Sequence, residues 1–519
     1  MIDVIGDRTL PDLLAERVAA HPDKPWLVFE GRSGRVTTTT YQQFADQVER
    51  AAAGFADLGI GQGQAVVLHL RNCPEMLVSW FALAASGAVM VPSNVANTAP
   101  ELEHLLGHSG AVAVVTQPDH LALFEQLRQG RQGGLPIVLV GGDPPAGVTP
   151  FRDLIASRDE PPRPALHTED VMEMIFTSGT TAKPKAVLLT HANALHSGER
   201  IVRGVGLDGA DRCLTALPVF HVNAQSVTVM AALTAGATCV LLEEYSASRY
   251  WDQVRRHRAT QTSMVAMQVR TLLAQEPGDD DRDHVLRRVV YAINVSDAEK
   301  EAFEDRFGVR FLNAYGLSEA MTLVTTSPLF GPQRWPSIGL PAAERQIRLV
   351  DPEGNDVPTG EIGEILVGGV PGRTLMKGYH KDEAATAQAL AGGWLHTGDH
   401  GYADEHGYVY FFDRKKDVIK RAGENVSASE VETALVDHPA IVEAAVIGIV
   451  DDVRDEAVKA FVVCVPGEMV SLEDVRDHCV QRLASFKIPT EIEVLAELPK
   501  TSIGKVEKKV LRARQTGAT

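Results

Sequence analysis

The segment Ile175-Phe176-Thr177-Ser178-Gly179-Thr180-Thr181-Ala182-Lys183-Pro184-Lys185 decides how this chain is interpreted. It continues an apolar run, residues 171–176, that predicts a buried strand, and it then becomes rich in hydroxyl residues and lysines. Hydroxyls and free backbone N–H groups bind phosphate oxygens, and lysines neutralise their charge. The segment is not a Walker A motif, because no Gly-Lys-Ser/Thr follows a four-residue spacer after the first glycine. A solvated turn is the alternative, but this density of hydroxyls before Lys-Pro-Lys favours a loop that binds a nucleotide triphosphate.

Length and composition restrict the class of protein. A chain of 519 residues exceeds what one hydrophobic core normally holds, so two or more domains are expected. The net charge of −18 argues against a nucleic-acid-binding protein, which needs a basic face. The five cysteines lie far apart without a C-x-x-C pair, which argues against a zinc site or a disulfide framework and favours a reducing compartment.

The ends and apolar stretches of the chain predict a cytoplasmic protein without a membrane span. The N-terminus lacks the basic start and apolar core of a signal peptide. The longest apolar stretch, residues 227–242, is interrupted by threonines and a glycine and is too short to cross a bilayer. It predicts a buried helix followed by a strand. The oligomeric state is not specified by the sequence.

Helical and strand patterns alternate in the first 160 residues. A capping box formed by Thr40 and Gln43 begins one helix, and residues 65–70, 74–85 and 88–92 predict strand, helix and strand. Such alternation is typical of βαβ units and a largely parallel sheet.

The pattern changes near residue 413, where a charged run, Asp413-Arg414-Lys415-Lys416-Asp417, follows an aromatic strand. A capping box at Ser427 and strands at 441–450 and 457–465 then predict a compact α+β unit. The fold class predicted is therefore α/β, with a large N-terminal domain of parallel-rich sheets and flanking helices at 1–413. A hinge at 414–417 and a small, mobile α+β C-terminal domain at 418–519 complete the prediction.

Further motifs follow the opening loop in a fixed order. They are Leu217-Pro218-Val219-Phe220-His221-Val222-Asn223, Asn313-Ala314-Tyr315-Gly316-Leu317-Ser318-Glu319, Trp394-Leu395-His396-Thr397-Gly398-Asp399, Asp413-Arg414 and Leu498-Pro499-Lys500-Thr501-Ser502-Ile503-Gly504-Lys505. Each has an ordinary structural alternative: His221 as a core histidine, Asp399 as a turn carboxylate, and Lys505 as a surface lysine. Together and in this order they form a specific pattern.

Over essentially its whole length, the sequence resembles the acyl-adenylate-forming superfamily of acyl-CoA synthetases, peptide-synthetase adenylation domains and luciferases. It is most similar to bacterial acyl-CoA ligases that act on crotonobetaine, carnitine or medium acyl chains. That likeness rests on Pro218-Val219-Phe220-His221, Trp335-Pro336-Ser337-Ile338-Gly339 and Gly423-Glu424-Asn425-Val426-Ser427. The resemblance implies an N-terminal domain that binds ATP and a carboxylic acid, and a C-terminal lid that pivots between two half-reactions.

The resemblance also implies roles for individual residues. Lys505, Glu319 and Ser318 would be catalytic: Lys505 would bridge the carboxylate and the α-phosphate, Ser318 would contact the α-phosphate, and Glu319 would hold Mg²⁺. Tyr315 would stack beneath adenine, Asp399 and Arg414 would bind the ribose, and Lys416 would be the hinge. The nucleotide-binding set implied is Thr177, Ser178, Gly179, Thr180, Thr181, Lys185, Asn313, Ala314, Tyr315, Gly316, Asp399 and Arg414.

This chemistry explains the residue types. A carboxylate and a triphosphate repel each other, so Mg²⁺ on Glu319 and the cation of Lys505 would remove that repulsion and stabilise charge that grows on the α-phosphate. Because the substrate carboxylate is itself the nucleophile, positioning and charge stabilisation supply most of the catalysis. A lid would protect the water-sensitive anhydride.

Acid specificity is weakly determined by the sequence. The residues expected to line the acyl pocket are His221, Val222, Asn223, Met321 and Thr322. Asn223 indicates either a polar group on the substrate or a cap on local backbone. Arg270 would face either an anionic group or solvent.

The sequence departs from the family pattern at three places, and the one at Ala422 leaves open whether CoA is the second substrate. Ala182 and Ala186 replace glycines of the phosphate loop, the run 291–295 replaces the usual adenine wall, and Ala422 replaces a glycine that lines the pantetheine tunnel in CoA ligases. The leading hypothesis is an ATP-dependent, AMP-forming ligase that joins a small carboxylic acid to CoA.

The alternative hypothesis is an adenylating enzyme with a non-thiol acceptor. It would be either an amide-forming ligase or an ATP-dependent diazotase that activates nitrite for reaction with an aromatic amine. A non-catalytic binding protein is disfavoured, because Glu319, Asp399, Arg414 and Lys505 are all present.

Overall fold

The structure is a computed structural model of the chain. It describes residues 3–129, 131, 134–157, 160–161, 163–177, 184–291, 295–414, 417–421, 424–451, 455–480, 482–483, 485–500 and 506–515. The chain folds into two compact units, one formed by Met1–Gln346 with Val367–Leu395 and the other by Ile347–Leu366 with His396–Thr519.

The helices of the described residues fall in both units. The α-helices are α1 (Leu10–Ala20), α2 (Tyr41–Asp57), α3 (Pro74–Ala85), α4 (Ala99–Ser109), α5 (Pro118–Gln129), α6 (Phe151–Leu154), α7 (His191–Val205), α8 (Ala231–Ala235), α9 (Ala247–His257), α10 (Ala266–Leu273), α11 (Asp297–Phe307), α12 (Glu383–Ala389), α13 (Ala428–Val436), α14 (Leu472–Val480) and α15 (Lys508–Gln515). A π-helix spans Ala224–Met230, and 3₁₀ turns span Ser318–Ala320, Ala391–Gly393 and Ser485–Lys487.

The strands of the described residues are mostly short. They are β1 (Pro25–Glu30), β2 (Val36–Thr40), β3 (Ala65–His69), β4 (Val89–Pro92), β5 (Ala113–Thr116), β6 (Ile137–Leu139), β7 (Thr149–Pro150), β8 (Val171–Thr177), β9 (Lys185–Thr190), β10 (Arg212–Thr215), β11 (Thr238–Leu242), β12 (Gln261–Met264), β13 (Arg288–Tyr291), β14 (Arg310–Leu317), β15 (Thr322–Thr326), β16 (Leu340–Pro341), β17 (Gln346–Val350), β18 (Gly363–Gly368), β19 (Gly378–Tyr379), β20 (Trp394–Ala403), β21 (Val409–Arg414), β22 (Val418–Arg421), β23 (Glu424–Ser427), β24 (Ile441–Asp451), β25 (Asp455–Cys464) and β26 (Glu491–Val494).

The first unit contains two large sheets. One has the strand order β16-β15-β14-β13-β12-β10-β11-β1-β2, and its strands from β14 to β1 are parallel. The other has the order β19-β9-β8-β4-β3-β5-β6-β7, and its strands from β8 to β7 are parallel. Parallel strands need crossover connections, and the helices between them supply these.

Local sequence signals explain many element boundaries in the first unit. The Thr40 side chain accepts a hydrogen bond from the Gln43 N–H at 3.2 Å, so the predicted capping box begins α2. Pro74 occupies the first turn of α3, where its missing N–H has no cost. The strands 65–69 and 89–92 and the helix 74–85 agree closely with the predicted alternation.

The second unit contains a five-stranded sheet in which β22, β23, β24 and β25 are antiparallel and β26 is parallel to β25. Val431 and Leu435 of α13 pack against this sheet in a core that also contains Val446 and Val458. The Ser427 side chain accepts from the Glu430 N–H at 3.1 Å and caps α13 as predicted. A further sheet has the order β17-β18-β20-β21.

The predicted fold class is confirmed: the protein is α/β, with a large N-terminal part of parallel-rich sheets and a small C-terminal α+β part. The boundary at 413 stays a prediction. Residues 227–242 form a helix followed by the strand β11, as predicted, but the π-helical form of Ala224–Met230 was not predicted. None of the helices in the described part of the chain is long and apolar enough to cross a membrane.

A buried carboxyl group lies on β8 beneath the π-helix. Glu173 Oε1 accepts a hydrogen bond from Gln225 Nε2 at 2.6 Å, and that nitrogen also donates to the Val219 carbonyl at 2.9 Å. Among the described residues, Glu173 Oε2 and Gln225 Oε1 have no partner. Burial raises the pKa of Glu173 to about 8, although the Gln225 hydrogen bond opposes this shift.

The raised pKa of Glu173 predicts a pH-dependent stability. The folded state retains a proton on Glu173 that the unfolded chain loses above its ordinary carboxyl pKa, so this group makes the fold less stable as pH rises from about 4.5 to about 8. Glu173→Gln removes the titration and gives Gln225 Oε1 a donor. We expect the thermal midpoint of the variant to fall less than that of the wild type between pH 5 and pH 8.5. Equal slopes in the two proteins would contradict the buried-acid assignment.

Candidate functional site

The predicted phosphate loop connects two antiparallel strands. Thr177 at the end of β8 is the register partner of Lys185 at the start of β9, and the Thr177 Oγ1 hydroxyl donates to the Lys185 carbonyl at 3.4 Å. Ser178, Gly179, Thr180 and Thr181 lie outside the described residues. The loop therefore closes a hairpin. The strand β9, which separates it from α7, was missed at the sequence level.

The Lys185 side chain lies over an aromatic ring that no sequence motif indicated. Its ammonium nitrogen is 4.7 Å from the centroid of the Tyr379 ring, a cation–π distance. The Tyr379 hydroxyl in turn donates a hydrogen bond to Glu319 Oε1 at 2.9 Å. Burial, and then the Glu319 carboxylate, raise the pKa of Tyr379, so its phenol stays protonated and remains a donor.

Glu319 lies on the 3₁₀ turn Ser318–Ala320 between β14 and β15. Its backbone carbonyl accepts from the Met376 N–H at 2.7 Å. Its carboxylate is thus held by Tyr379 and its backbone by Met376, both from the segment that contains β19. Because β19 belongs to the sheet of the phosphate hairpin and β14 to the other sheet, these two bonds join the two sheets at the predicted site.

A close backbone approach positions the strand before this turn. A Cβ at Gly316 would lie 1.9 Å from the Thr322 carbonyl oxygen, so no other residue fits there. The β14–β15 register also shifts between Tyr315 and Gly316. This irregularity re-aims the side chain of Tyr315, the predicted adenine-stacking residue.

The neighbouring Asn313 is engaged with a loop. Its Nδ2 donates to the Ser337 carbonyl at 2.8 Å, its Oδ1 accepts from the Ala314 N–H at 3.1 Å, and its side chain is buried. These hydrogen bonds tie Asn313 to the loop at Ser337. Ala314 is also buried.

The two predicted ribose ligands lie side by side in the second unit. Asp399 on β20 is the register partner of Arg414 on β21. Asp399 is 5% exposed, and its N–H donates to Thr397 Oγ1 at 3.1 Å. Only the backbone of Arg414 is described.

The predicted acyl-pocket residues come together in the first unit from positions far apart in the chain. Thr322 Oγ1 donates to the Val222 carbonyl at 3.3 Å and also contacts the Ser226 hydroxyl. Met321 is fully buried with a left-handed φ of 33°, which ends the turn that carries Glu319. His221 packs edge-on against Phe220 at a centroid distance of 4.7 Å.

The structure bears on one of the alternatives for Asn223, the cap on local backbone. Its side chain makes no cap at the start of the π-helix, and its Oδ1 accepts from Ser263 Oγ at 2.7 Å. No described residue accepts from its Nδ2 group, so the amide presents N–H donors. Arg270 forms an ion pair with Glu299 at 2.6 Å.

Several sequence predictions lie outside the described residues. Lys416, Lys505, Ala182 and Ala422 belong to this group, together with residues 292–294. Ala186 is described, and it lies in β9 as the register partner of Phe176. Its backbone is extended there, so the penalty expected from replacing a glycine at this position does not arise.

Tyr379 and Met376 are the site residues that sequence reasoning missed. The segment around them contains a strand of only two residues. It offers no apolar periodicity that would have identified them.

The donor set around Glu319 fits a magnesium–nucleotide complex. Among the described residues no group of three or more His, Cys, Asp or Glu side chains is arranged to hold a metal ion. Mg²⁺ is usually held by one or two carboxylates together with phosphates and water. A single carboxylate beside a phosphate loop is therefore sufficient, and Glu319 is the ligand that the sequence predicts.

A separate cavity of about 380 Å³ lies at the ends of β1 and α9, away from the predicted site. Its lining includes Arg32, Arg249 and Arg256. These arginines already pair with Glu243, Glu244 and Glu30. The cavity therefore offers no unpaired cation to a ligand.

Comparison with known proteins confirms the predicted family. Residues 14–380 match the family described as AMP-binding enzyme, and residues 430–505 match the AMP-binding enzyme C-terminal domain. A crotonobetaine/carnitine–CoA ligase from Salmonella choleraesuis (strain SC-B67) is 41% identical over 517 residues, which cover 98% of this chain and 100% of that one.

Solved structures of similar fold support the same family assignment. The anthranilate CoA ligase AuaEII in complex with anthranoyl-AMP has a TM-score of 0.89 and 28% identity, and the match covers 99% of this chain and 98% of that one. The o-succinylbenzoate CoA synthetase of Bacillus subtilis in complex with ATP and magnesium has a TM-score of 0.83 and 26% identity, covering 96% and 99%. The chain belongs to the AMP-binding enzyme family and is an AMP-forming ligase of the acyl-CoA synthetase type.

Proposed function

We propose that the protein joins a small carboxylic acid to CoA in two steps. The acid first attacks the α-phosphate of ATP, with release of pyrophosphate, and CoA then takes the acyl group from the adenylate, with release of AMP. The observation that carries the proposal is the arrangement of Lys185, Tyr379 and Glu319. It places a carboxylate suited to Mg²⁺ beside the end of a hairpin suited to phosphate.

Residues of the first unit supply the nucleotide site. The hairpin loop from Thr177 to Lys185 binds the β- and γ-phosphates, Ser318 contacts the α-phosphate, and Tyr315 stacks on adenine. Mg²⁺ held by Glu319 neutralises phosphate charge when it is bound. Tyr379 orients the Glu319 carboxylate, since its hydroxyl donates to one carboxylate oxygen.

Further roles are those that the family resemblance implies. Asp399 and Arg414 hold the ribose hydroxyls. The hinge at 414–417, with Lys416 at its centre, lets the C-terminal lid turn between the half-reactions. Lys505 on that lid bridges the acid carboxylate and the α-phosphate for the first step.

The acid carries a hydrogen-bond acceptor in its acyl part. Asn223 supports this, because Ser263 occupies its oxygen and its N–H₂ group is left as a donor. Asn223 is half-buried, and a donor that an apolar group screens from water loses its hydrogen bond, so a wholly apolar acyl group is disfavoured. Of the two acids for which the Salmonella relative is named, carnitine has a hydroxyl that accepts a hydrogen bond and crotonobetaine has none, so carnitine is the first acid to be tested.

The protein works in the cytoplasm. All five of its cysteines are free thiols. Cys213 and Cys239 remain free although they are register partners on adjacent strands. This is consistent with a reducing compartment.

The function is tested by comparing thiol loss with AMP release. Crotonobetaine, carnitine, anthranilate, o-succinylbenzoate and benzoate are each supplied with ATP, Mg²⁺ and CoA. A separate assay supplies nitrite with an aromatic amine. We expect at least one acid to consume one CoA for each AMP formed. AMP release without thiol loss for every acid, or release only with nitrite and the amine, would contradict CoA as the acceptor.

Replacement of Lys505 tests the first half-reaction. We expect Lys505→Ala to slow acid-dependent pyrophosphate exchange into ATP by about 10²-fold or more, because one preorganised charge contact to the transition state is lost. Lys500→Ala is the matched control, since Lys500 pairs with Glu443 at 2.7 Å. A wild-type exchange rate in the Lys505 variant would refute its catalytic role.

Replacement of Tyr379 tests the orientation of Glu319. Tyr379→Phe keeps the ring beneath Lys185 and removes the hydroxyl that donates to the carboxylate. A hydrogen bond to a charged group is worth about 1.5 kcal/mol or more, so we expect the rate of pyrophosphate exchange to fall about tenfold. The Mg²⁺ concentration needed for half-maximal rate should rise as well.

Tyr410→Phe is the control for Tyr379→Phe, because the Tyr410 hydroxyl contacts Asp404 in a turn of the second unit. The orienting role of Tyr379 is wrong if its variant has the same Mg²⁺ dependence as the Tyr410 variant.

A further inference from the structure

Two buried arginines lie behind the turn that carries Glu319. Arg200 on α7 is 1% exposed, and Arg345, directly before β17, is 6% exposed. Arginine is rarely buried to this extent unless a carboxylate pairs with it. Both side chains instead donate mainly to backbone carbonyls.

The carbonyls that they contact belong to two segments that position Glu319. Arg345 donates through Nη2 to Ala320, through Nε to Leu323 at 3.2 Å and through Nη1 to Thr374 at 2.7 Å. Arg200 Nη2 lies 3.4 Å from the carbonyls of both Ala320 and Met321. Arg345 therefore connects the turn after Glu319 to the turn just before Met376.

The turn needs such support, because Met321 has a left-handed backbone with a φ of 33°. A residue with a side chain adopts this conformation only where the surroundings enforce it. Arg345 supplies most of that enforcement through its hydrogen bonds to the carbonyls of Ala320 and Leu323, and Arg200 adds longer contacts to Ala320 and Met321.

The positive charge of Arg200 and Arg345 is not balanced by a carboxylate of their own. The carboxylate with a charge effect on both is Glu344, and it is already shared with His196 at 3.2 Å and Arg203 at 3.4 Å. Among the described residues, Arg200 Nε and Nη1 have no partner. Burial lowers the pKa of Arg200 to about 10, which leaves it charged at pH 7.

Apolar residues of similar volume often stabilise a core as well as buried charges do. Stability of the core alone therefore gives no reason for two buried cations behind this turn.

We propose that Arg200 and Arg345 are positioning residues for adenylation: they fix the Ser318–Met321 turn and place buried positive charge behind the site of the nucleotide phosphates. We call this pair the arginine clamp. In a low-dielectric interior, such a charge acts over longer distances than a surface charge does. The proposal rests on the proposed function insofar as the phosphates are those of ATP.

The clamp is tested with Arg200→Met, which preserves bulk and loses only weak, long hydrogen bonds. Arg203→Met is the matched control, because Arg203 lies on the same helix, is 45% exposed and pairs with Glu199 and Glu344. Pyrophosphate exchange gives kcat and the KM values. Calorimetry with ATP and Mg²⁺ in the absence of acid gives binding without turnover, and the thermal midpoint reports folding.

We expect Arg200→Met to lower kcat for exchange by about 10²-fold, the scale of a small misplacement at a reacting centre. The variant should also bind ATP·Mg²⁺ more weakly, with the KM for the acid unchanged. Arg203→Met should retain wild-type values. A folded Arg200→Met with wild-type kcat and wild-type ATP·Mg²⁺ affinity would overturn the clamp.

If Arg200→Met does not fold, a second pair of variants tests the role of the positive charge at this position. Arg200→Lys retains the charge, whereas Arg200→Gln retains only polarity. The lysine variant should bind ATP·Mg²⁺ more tightly than the glutamine variant, and equal affinities would refute the clamp. If the wild type binds ATP·Mg²⁺ but none of the tested acids supports pyrophosphate exchange, the proposed function is refuted and the clamp is not.

Discussion

The hydrogen bond from the Tyr379 hydroxyl to Glu319 is the contact on which the candidate site depends. Glu319 follows the last parallel strand of one sheet, and Tyr379 lies on the edge strand of the other. Neither sheet contains the site alone. The bond from the Met376 N–H to the Glu319 carbonyl adds a second link, so the carboxylate is fixed through both its side chain and its backbone.

Electrostatics imposes the next constraint. The protein carries a net charge of −18, yet its reaction brings a carboxylate to a triphosphate. Positive charge must therefore be local, since the overall field opposes the approach of both substrates. Lys185 contributes one cation over the Tyr379 ring. The arginine clamp contributes two more from within the core, where solvent and salt screen them weakly.

The sequence predicted the fold class, the family and the order of the motifs, because each signal is local. Capping boxes, short apolar strands and a hydroxyl-rich loop can each be recognised from a few adjacent residues. The π-helix was missed because its apolar residues have the same pattern as a buried α-helix. Tyr379, Arg200 and Arg345 were missed because each acts on a residue far away in the chain. The contact of Asn223 with Ser263 was not predicted, because the two residues are 40 positions apart in the chain.

The strand β8 links the predicted phosphate loop to the predicted acyl pocket. Glu173 lies on β8, which ends at Thr177, the first residue of the phosphate hairpin loop. Through Gln225, Glu173 also holds the π-helix that follows Val222 and Asn223. Displacement of β8 would thus move the acyl-pocket wall and the phosphate loop together. A π-helix has an unusual hydrogen-bond pattern that tertiary contacts must support, and the buried Glu173–Gln225 contact is one such support. The predicted acyl pocket and the predicted phosphate loop are therefore connected through β8 and its contact with the π-helix.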